Sequence, residues 1–316
     1  MSIAPFPIDP VLTGIAIAYQ NQDYIADRVL PRVNPVLTRQ TFNYKVWTKA
    51  EQFTVPNTAV GRRGAPAELE FTATETPATT LDYGLDDPLP QADIDQASSQ
   101  GIDLTAFSTQ SLTNLIMLDR EIRVAGIVFS AGNYASGQSE SLSGSQQWSD
   151  YADSDPIGDI TAALDTPLIR PNTMVIGRAA FTKLSQHPKI VKAVHGNAGD
   201  AGIASAAQIA ALFELKDVLI GAGMKNTANR GQTASYGRIW GKSCALLYLD
   251  SLYAQGGAST NVPSYGGTFQ YGTRIAGAQP DGRISVRGGQ RVRVAESVKE
   301  VVVANDLGFF IDTVVA

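Results

Sequence analysis

The chain has 316 residues, 44% of them hydrophobic and 17% charged, and a formal net charge of −5. These values describe a folded protein of one large domain or two modest ones, and they exclude both a disordered chain and the basic excess of a nucleic-acid binder. The single cysteine, Cys244, excludes an internal disulfide framework, and apolar runs such as Val301 to Ala304 are far too short to cross a bilayer.

The first hundred residues carry ten prolines, from Pro5 to Pro90, which predict an extended arm with almost no helical period. The start of the sequence lacks the basic run of a signal peptide, so a soluble, unexported protein is expected. Alternation over 41–47 and 68–73 predicts half-buried strands whose free edges invite pairing with another chain. Residues 103–130 then read as one long amphipathic helix, with Leu104, Leu115, Leu118, Ile122, Ala125 and Phe129 on its apolar stripe and Ser108 and Ser111 filling it. Asp103 is its predicted cap, Asp119 and Arg123 a supporting pair, and Gly132-Asn133 its stop.

The polar segment 131–150 predicts a mobile connection. Helices over 155–165, 178–186 and 205–213 alternate with strands over 173–177 and 217–221, which argues for a mixed α/β core. Strands are expected over 236–249, 268–276, 283–294, 298–304 and 307–315, with the last two paired through a turn at Asn305-Asp306. A subunit lacking residues 1–39 is expected to keep a folded core, because the elements from Asp103 onward carry enough apolar surface.

Chemistry-bearing residues are sparse. His187 and His195 are too few for a metal site or triad, and His187 before Pro188 suits a capping or surface role. Gly221-Ala222-Gly223 completes no phosphate-binding fingerprint and reads as a turn. Asp86-Asp87, Asp93, Asp95, Asp150, Asp153, Asp155 and Asp159 contain pairs that could serve glycoside hydrolysis, but their loop settings beside prolines already explain them as turn and cap residues. Arg283, Arg287, Arg291 and Arg293 read as a solvated or salt-bridged sheet face, and Cys244 as a buried strand thiol. No catalytic, cofactor-binding or metal-ligating residue is assigned.

The order of elements in the second half is specific. Arg170-Pro171-Asn172-Thr173-Met174-Val175-Ile176-Gly177-Arg178 through Leu184 and His187-Pro188-Lys189-Ile190, then Ile209 to Gly221, then Arg238-Ile239-Trp240-Gly241-Lys242 to Tyr248, resemble segments of the major capsid proteins of tailed double-stranded DNA phages. Tyr24-Ile25-Ala26-Asp27-Arg28-Val29-Leu30-Pro31 resembles the N-terminal arm of one branch of that family. The resemblance implies an α+β fold of the Hong Kong 97 type: an arm at 1–40, an extended E-loop hairpin at 41–85, and a peripheral domain at 86–154 with its spine helix at 103–130. A mainly axial domain would follow at 155–265, with C-terminal strands 266–316 returning to the peripheral domain.

The resemblance also implies a function without catalysis: self-assembly through hexamers and pentamers into an icosahedral shell around double-stranded DNA that is not bound sequence-specifically. The implied partners are further copies of the chain, a separately encoded scaffold, a portal and, as a further candidate, a cementing protein; no membrane and no cofactor is implied. The implied location is the virion, after assembly in the host cytoplasm. Contacts between subunits are expected at Arg62 and Arg63, on the E-loop tip, and at Tyr24, Ile25, Val29 and Leu30 of the arm. Lys45 and Lys49 are the only E-loop lysines and the tip carries arginines, so covalent crosslinking is not expected. The alternatives are an encapsulin-like compartment holding protein cargo and, from another class, a carboxylate-dependent hydrolase using Asp153 or Asp155.

Overall fold

The computed structural model describes residues 6–47, 51, 53–70, 72–196, 202–229, 231–256 and 263–316. Two sheets organise it. A three-stranded antiparallel sheet is made of β3 (Leu81–Pro90) and the long hairpin β10 (Gly266–Asp281) and β11 (Gly289–Val302), with β11 in the centre. A five-stranded mixed sheet has the order β4 (Ser139–Ser141), β12 (Gly308–Asp312), β9 (Cys244–Leu247), β5 (Thr173–Gly177) and β6 (Asp217–Gly221), and β7 (Met224–Asn226) and β8 (Tyr236–Arg238) form a separate two-stranded ribbon. Every residue of β5 and β9 is buried, which fits their β-branched and apolar composition and the helices covering them.

Helices α1 (Pro10–Ala18), α2 (Ala26–Val29) and α3 (Gln91–Ser99) correct the expectation that the first third lacks helix. Pro10 occupies the first turn of α1, where its missing N–H costs nothing, and the Asp9 carboxylate accepts from Val11 and Leu12 N–H. A proline here starts a helix that its presence was expected to prevent. Strand β1 (Thr41–Trp47) forms as expected and pairs with β2 (Ala73–Thr79), whereas the strand expected over 68–73 is corrected: residues 68–70 are irregular and the strand starts at Ala73. Pro77 is tolerated because a two-stranded ribbon leaves an edge free of ladder bonds.

The long helix α4 spans Leu104–Val128, about 37 Å at 1.5 Å per residue. Asp103 caps it as predicted, accepting from Thr105 and Ala106 N–H at 3.0 Å, and Asp119 pairs with Arg123. Its buried stripe, however, runs through Leu112, Ile116, Val124 and Val128; Leu115 is 48% exposed, and Leu118 and Ile122 are half-buried. The predicted stripe holds at Ser108 and Ala125 and fails at Leu115, Leu118 and Ile122, because polar residues occupy much of the inner face. Thr109 and Thr113 turn their hydroxyls onto Thr105 O and Thr109 O at 2.9 and 2.7 Å, and Arg120 and Glu121 are buried with partners from elsewhere in the chain.

Along its length α4 joins the two sheets. Leu112 and Ile116 pack with Leu89, Val292 and Val294 on the three-stranded sheet and with Leu12 and Ala16 of α1. Val124 and Val128 pack with Val175, Leu219, Leu247 and Phe310 on the five-stranded one. The opposite face of the larger sheet is covered by α5 (Pro156–Asp165), α6 (Arg178–Ser185), α7 (Pro188–His195) and α8 (Ala206–Leu212) around Ile160, Leu184, Ile190 and Ile209.

Three further expectations are corrected. Segment 131–150 is not a mobile connection: it supplies β4 and the fully buried Trp148, whose indole N–H donates to Asp159 at 2.9 Å. β11 is one continuous strand where two were expected, and β12 leaves it to lie between β4 and β9, burying Val314 and Val315 beyond. His187 caps α7, its Nδ1 accepting from Lys189 N–H at 3.2 Å, but it is fully buried against Ser154 and so has no surface role.

Candidate assembly surfaces and the arm root

The hairpin β1–β2 stands on the body through Phe42 and Tyr44, whose rings lie 4.6 and 6.3 Å from that of Phe269. Beyond it, 54–70 has no regular structure, and 53–70 exposes Phe53, Val55, Val60 and Leu69, with Val55 82% accessible. Its tip is a tight turn closed by Gly64 N–H on Gly61 O at 2.9 Å, which presents Arg62 and Arg63 to solvent. Lys45 pairs with Glu75 at 3.9 Å, while Lys49 lies outside the described residues. Apolar side chains on an excursion without its own core need a surface from elsewhere.

At the arm, Ile25, Val29 and Leu30 are buried in their own chain, so the intersubunit contacts expected of them are corrected. They fill the space between α4 and the five-stranded sheet. Tyr24 is half-buried and, with Tyr19, Asn21, Arg28 and Gln270, lines an open cleft of about 780 Å³ between the arm and α4.

The floor of that cleft is an ionic cluster that hydropathy alone does not reveal. Arg120, 2% exposed, bonds Asp27, Leu30 O at 3.2 Å and Thr268 Oγ1 at 3.0 Å. Arg32 reaches Asp27 at 3.1 Å and Glu296 at 3.0 Å, and Arg274 meets Glu296 at 3.0 Å while donating to Ala16 O at 2.9 Å. Burial raises the Glu296 carboxyl, but Arg32, Arg274 and Arg120 outweigh it and hold the group below the usual carboxylate range. Asp27 is lowered in the same way, with Arg120 and Arg32 overcoming desolvation.

Glu121 is the other half of the grip. Its carboxylate accepts from Ile25 N–H at 3.0 Å, Ala26 N–H at 2.8 Å and the Trp240 indole N–H at 2.5 Å. Burial nonetheless raises its pKa, partly offset by these donors. Trp240 in turn packs directly against Gly221, the last residue of β6: a Cβ there would sit 2.1 Å from its Cγ, so the position read as a turn is a seat for the indole. Arg120 and Glu121 thus tie the arm root to the helix and to both sheets. Their sequence signal is helical phase: Arg120 lies four residues after Ile116 and four before Val124, on the stripe that those two buried residues define.

Several of the aspartates weighed for hydrolysis have structural partners. Asp86, in β3 and not in a loop, pairs with Arg293 at 2.6 Å; Asp87, also in β3, accepts from Ser108; and Asp155 pairs with Lys189 at 3.4 Å. Asp93 and Asp95 sit on α3. Arg291 and Arg293 face carboxylates while Val292 and Val294 are buried, the alternation expected of that strand, and Cys244 is a buried strand thiol whose pKa burial raises. Among the described residues, no group of three or more His, Cys, Asp or Glu side chains could hold a metal ion, and no helix is long and apolar enough to cross a membrane.

No family model matches the chain. It is 49% identical to the major capsid protein of Pseudomonas phage JBD67, over 100% of both chains. Among solved structures, a phage-related protein of Bordetella bronchiseptica RB50 matches with TM-score 0.73 at 21% identity, covering 98% of each chain. The capsid structure of cyanophage P-SCSP1u matches with TM-score 0.54 at 10% identity, covering 99% of this chain and 92% of that one. These two likenesses bear on the fold alone.

Proposed function

Because this chain belongs to the phage major capsid proteins, structural subunits of the virion shell with the Hong Kong 97-like fold, we propose that it closes as hexamers and pentamers into an icosahedral head around double-stranded DNA. In this reading the chain acts by geometry and carries out no catalytic step. The supporting observation is the 53–70 excursion, which exposes Phe53, Val55 and Leu69 and ends in the Arg62-Arg63 turn. Such a segment is suited to lie on the next subunit, where its apolar residues gain burial and its guanidiniums can meet carboxylates in bidentate pairs. Tyr24, at the rim of the arm cleft, is the second proposed contact.

The three-stranded sheet with α4 corresponds in this reading to the peripheral domain, and the five-stranded sheet with α5 to α8 to the axial one. A separately encoded scaffold, a portal and a cementing protein are the proposed partners, with assembly in the host cytoplasm. Expression with and without the scaffold gene, followed by electron microscopy, tests this. Closed shells that take up DNA are expected; particles that form at fixed size without scaffold and enclose only protein would instead indicate a cargo compartment. In the same assay, Arg62→Glu with Arg63→Glu should leave capsomers intact and reduce closed shells, and unchanged shell yield would remove the tip contact.

A further inference from the structure

Opposite charges are segregated along this chain and then brought together at one end of the three-stranded sheet. Residues 64–119 contain ten carboxylates and no lysine or arginine, whereas the β10–β11 turn carries Arg283 and Arg287. β3 runs directly into α3, whose Gln91 N–H donates to Gly288 O at 3.1 Å, so the hairpin tip and the first turn of α3 lie side by side.

At the tip the local carboxylate is already engaged. Asp281 accepts from Arg291 at 2.8 Å and from the backbone N–H of Arg283 at 2.9 Å. Arg283 and Arg287 are exposed and enter no ion pair among the described residues. Between them Val286 is fully exposed, at 101%, held out by a turn in which Ser285 has φ 57°. α3 is the complement: none of its residues is buried, Asp93 and Asp95 are exposed without a cation partner among the described residues, and Ile102 and Phe107 beyond it are 51% and 62% exposed.

We propose that this end of the molecule is an interface between copies of the chain, in which the tip of one copy seats Val286 on α3 of the next and pairs Arg283 and Arg287 with Asp93 and Asp95. The inference rests on the shell function proposed above. Charge complementarity selects the occupant: a polyanion approaching the two arginines would meet the adjacent aspartates, whereas a second copy satisfies both signs. Because tip and helix lie side by side on each copy, every subunit gives one contact and takes one, the head-to-tail pattern from which rotational clusters are built.

The test compares Arg283→Glu with Arg287→Glu, Asp93→Lys with Asp95→Lys, and the fourfold variant carrying all these changes. Each charge-reversed pair should lower closed-shell yield about tenfold or more at unchanged circular dichroism and melting temperature, and the fourfold swap should recover it. Arg283→Ala with Arg287→Ala, with no reversed charge, should give a smaller loss and serves if a reversal disturbs folding. Full yield from both reversed pairs, or loss in all variants without recovery in the swap, overturns the inference; the second outcome would point to a scaffold or nucleic acid at the tip. A wild-type chain that forms no shells at all would instead count against the shell function itself.

Discussion

At the scale of single residues, the most constrained positions are those that seat Trp240 and balance Arg120. Replacing Gly221 by alanine drives a methyl group into the indole, which is pinned by its bond to Glu121, so neither partner can move without cost. Gly221→Ala should destabilise the subunit by about 1–3 kcal/mol, read as a lowered denaturation midpoint with Trp240 fluorescence as probe. The carboxylates beside the arginines set the acid limit. Asp27 and Glu296 have lowered pKa values in the folded state, so they contribute stability above the ordinary carboxylate range and lose it as pH falls through their folded values. Glu121, being raised, has the opposite sign and opposes part of that loss. Melting temperature should therefore fall on acidification below the ordinary carboxylate range. Glu296→Gln should lower it at neutral pH and flatten the acid limb; an unchanged acid limb would show that the cluster does not govern it.

At the scale of elements, α4 shows what could and could not be read in advance. Its existence, extent and cap follow from period and from Asp103, because these are local properties of backbone and side chain. Its facing does not: Thr109 and Thr113 can be buried because their hydroxyls bond the preceding turn, and Arg120 and Glu121 are buried by bonds to groups up to 148 residues away, which no local window contains. The same reason explains why β5 and β6 were legible as buried strands while the sheet order placing β12 beside β4 was not. The corrected facing can be tested directly. Ile116→Asp puts a carboxylate without a partner into the core at several kcal/mol, against a total stability on the order of 10 kcal/mol, and should abolish soluble subunit. Leu115→Asp, one residue away and 48% exposed, should change stability by no more than about 0.5 kcal/mol. Solubility and thermal melts of the two proteins decide between the stripes.

At the scale of the whole molecule, the arm is part of the fold and not an accessory to it. Leu12, Ile25, Val29 and Leu30 are buried at or below 6% exposure, and each contributes about 1.5–3 kcal/mol of apolar burial, a sum comparable with the stability of an entire domain. Removing residues 1–39 would also leave Glu121 with Trp240 as its only hydrogen-bond partner among the described residues and strip Arg120 of Asp27 and Leu30 O. The truncated chain should accordingly be unfolded or insoluble by circular dichroism and sedimentation, contrary to the expectation from sequence that the core would stand alone. What the sequence concealed here was the sequence separation of the contacts. The arm's partners lie almost a full chain away: Asp9 N–H bonds Ala276 O, and Arg32 reaches Glu296 across 264 positions. During synthesis at roughly 5–20 residues per second, the arm therefore waits on the order of 15–50 s before its counterpart leaves the ribosome. Through that interval Ile25, Val29 and Leu30 have no finished pocket, and nascent chains on one message are crowded together. The wiring of the arm thus makes the last-made hairpin the timer for a completed subunit, so that a chain becomes fit to join a shell only once nearly all of it has been translated.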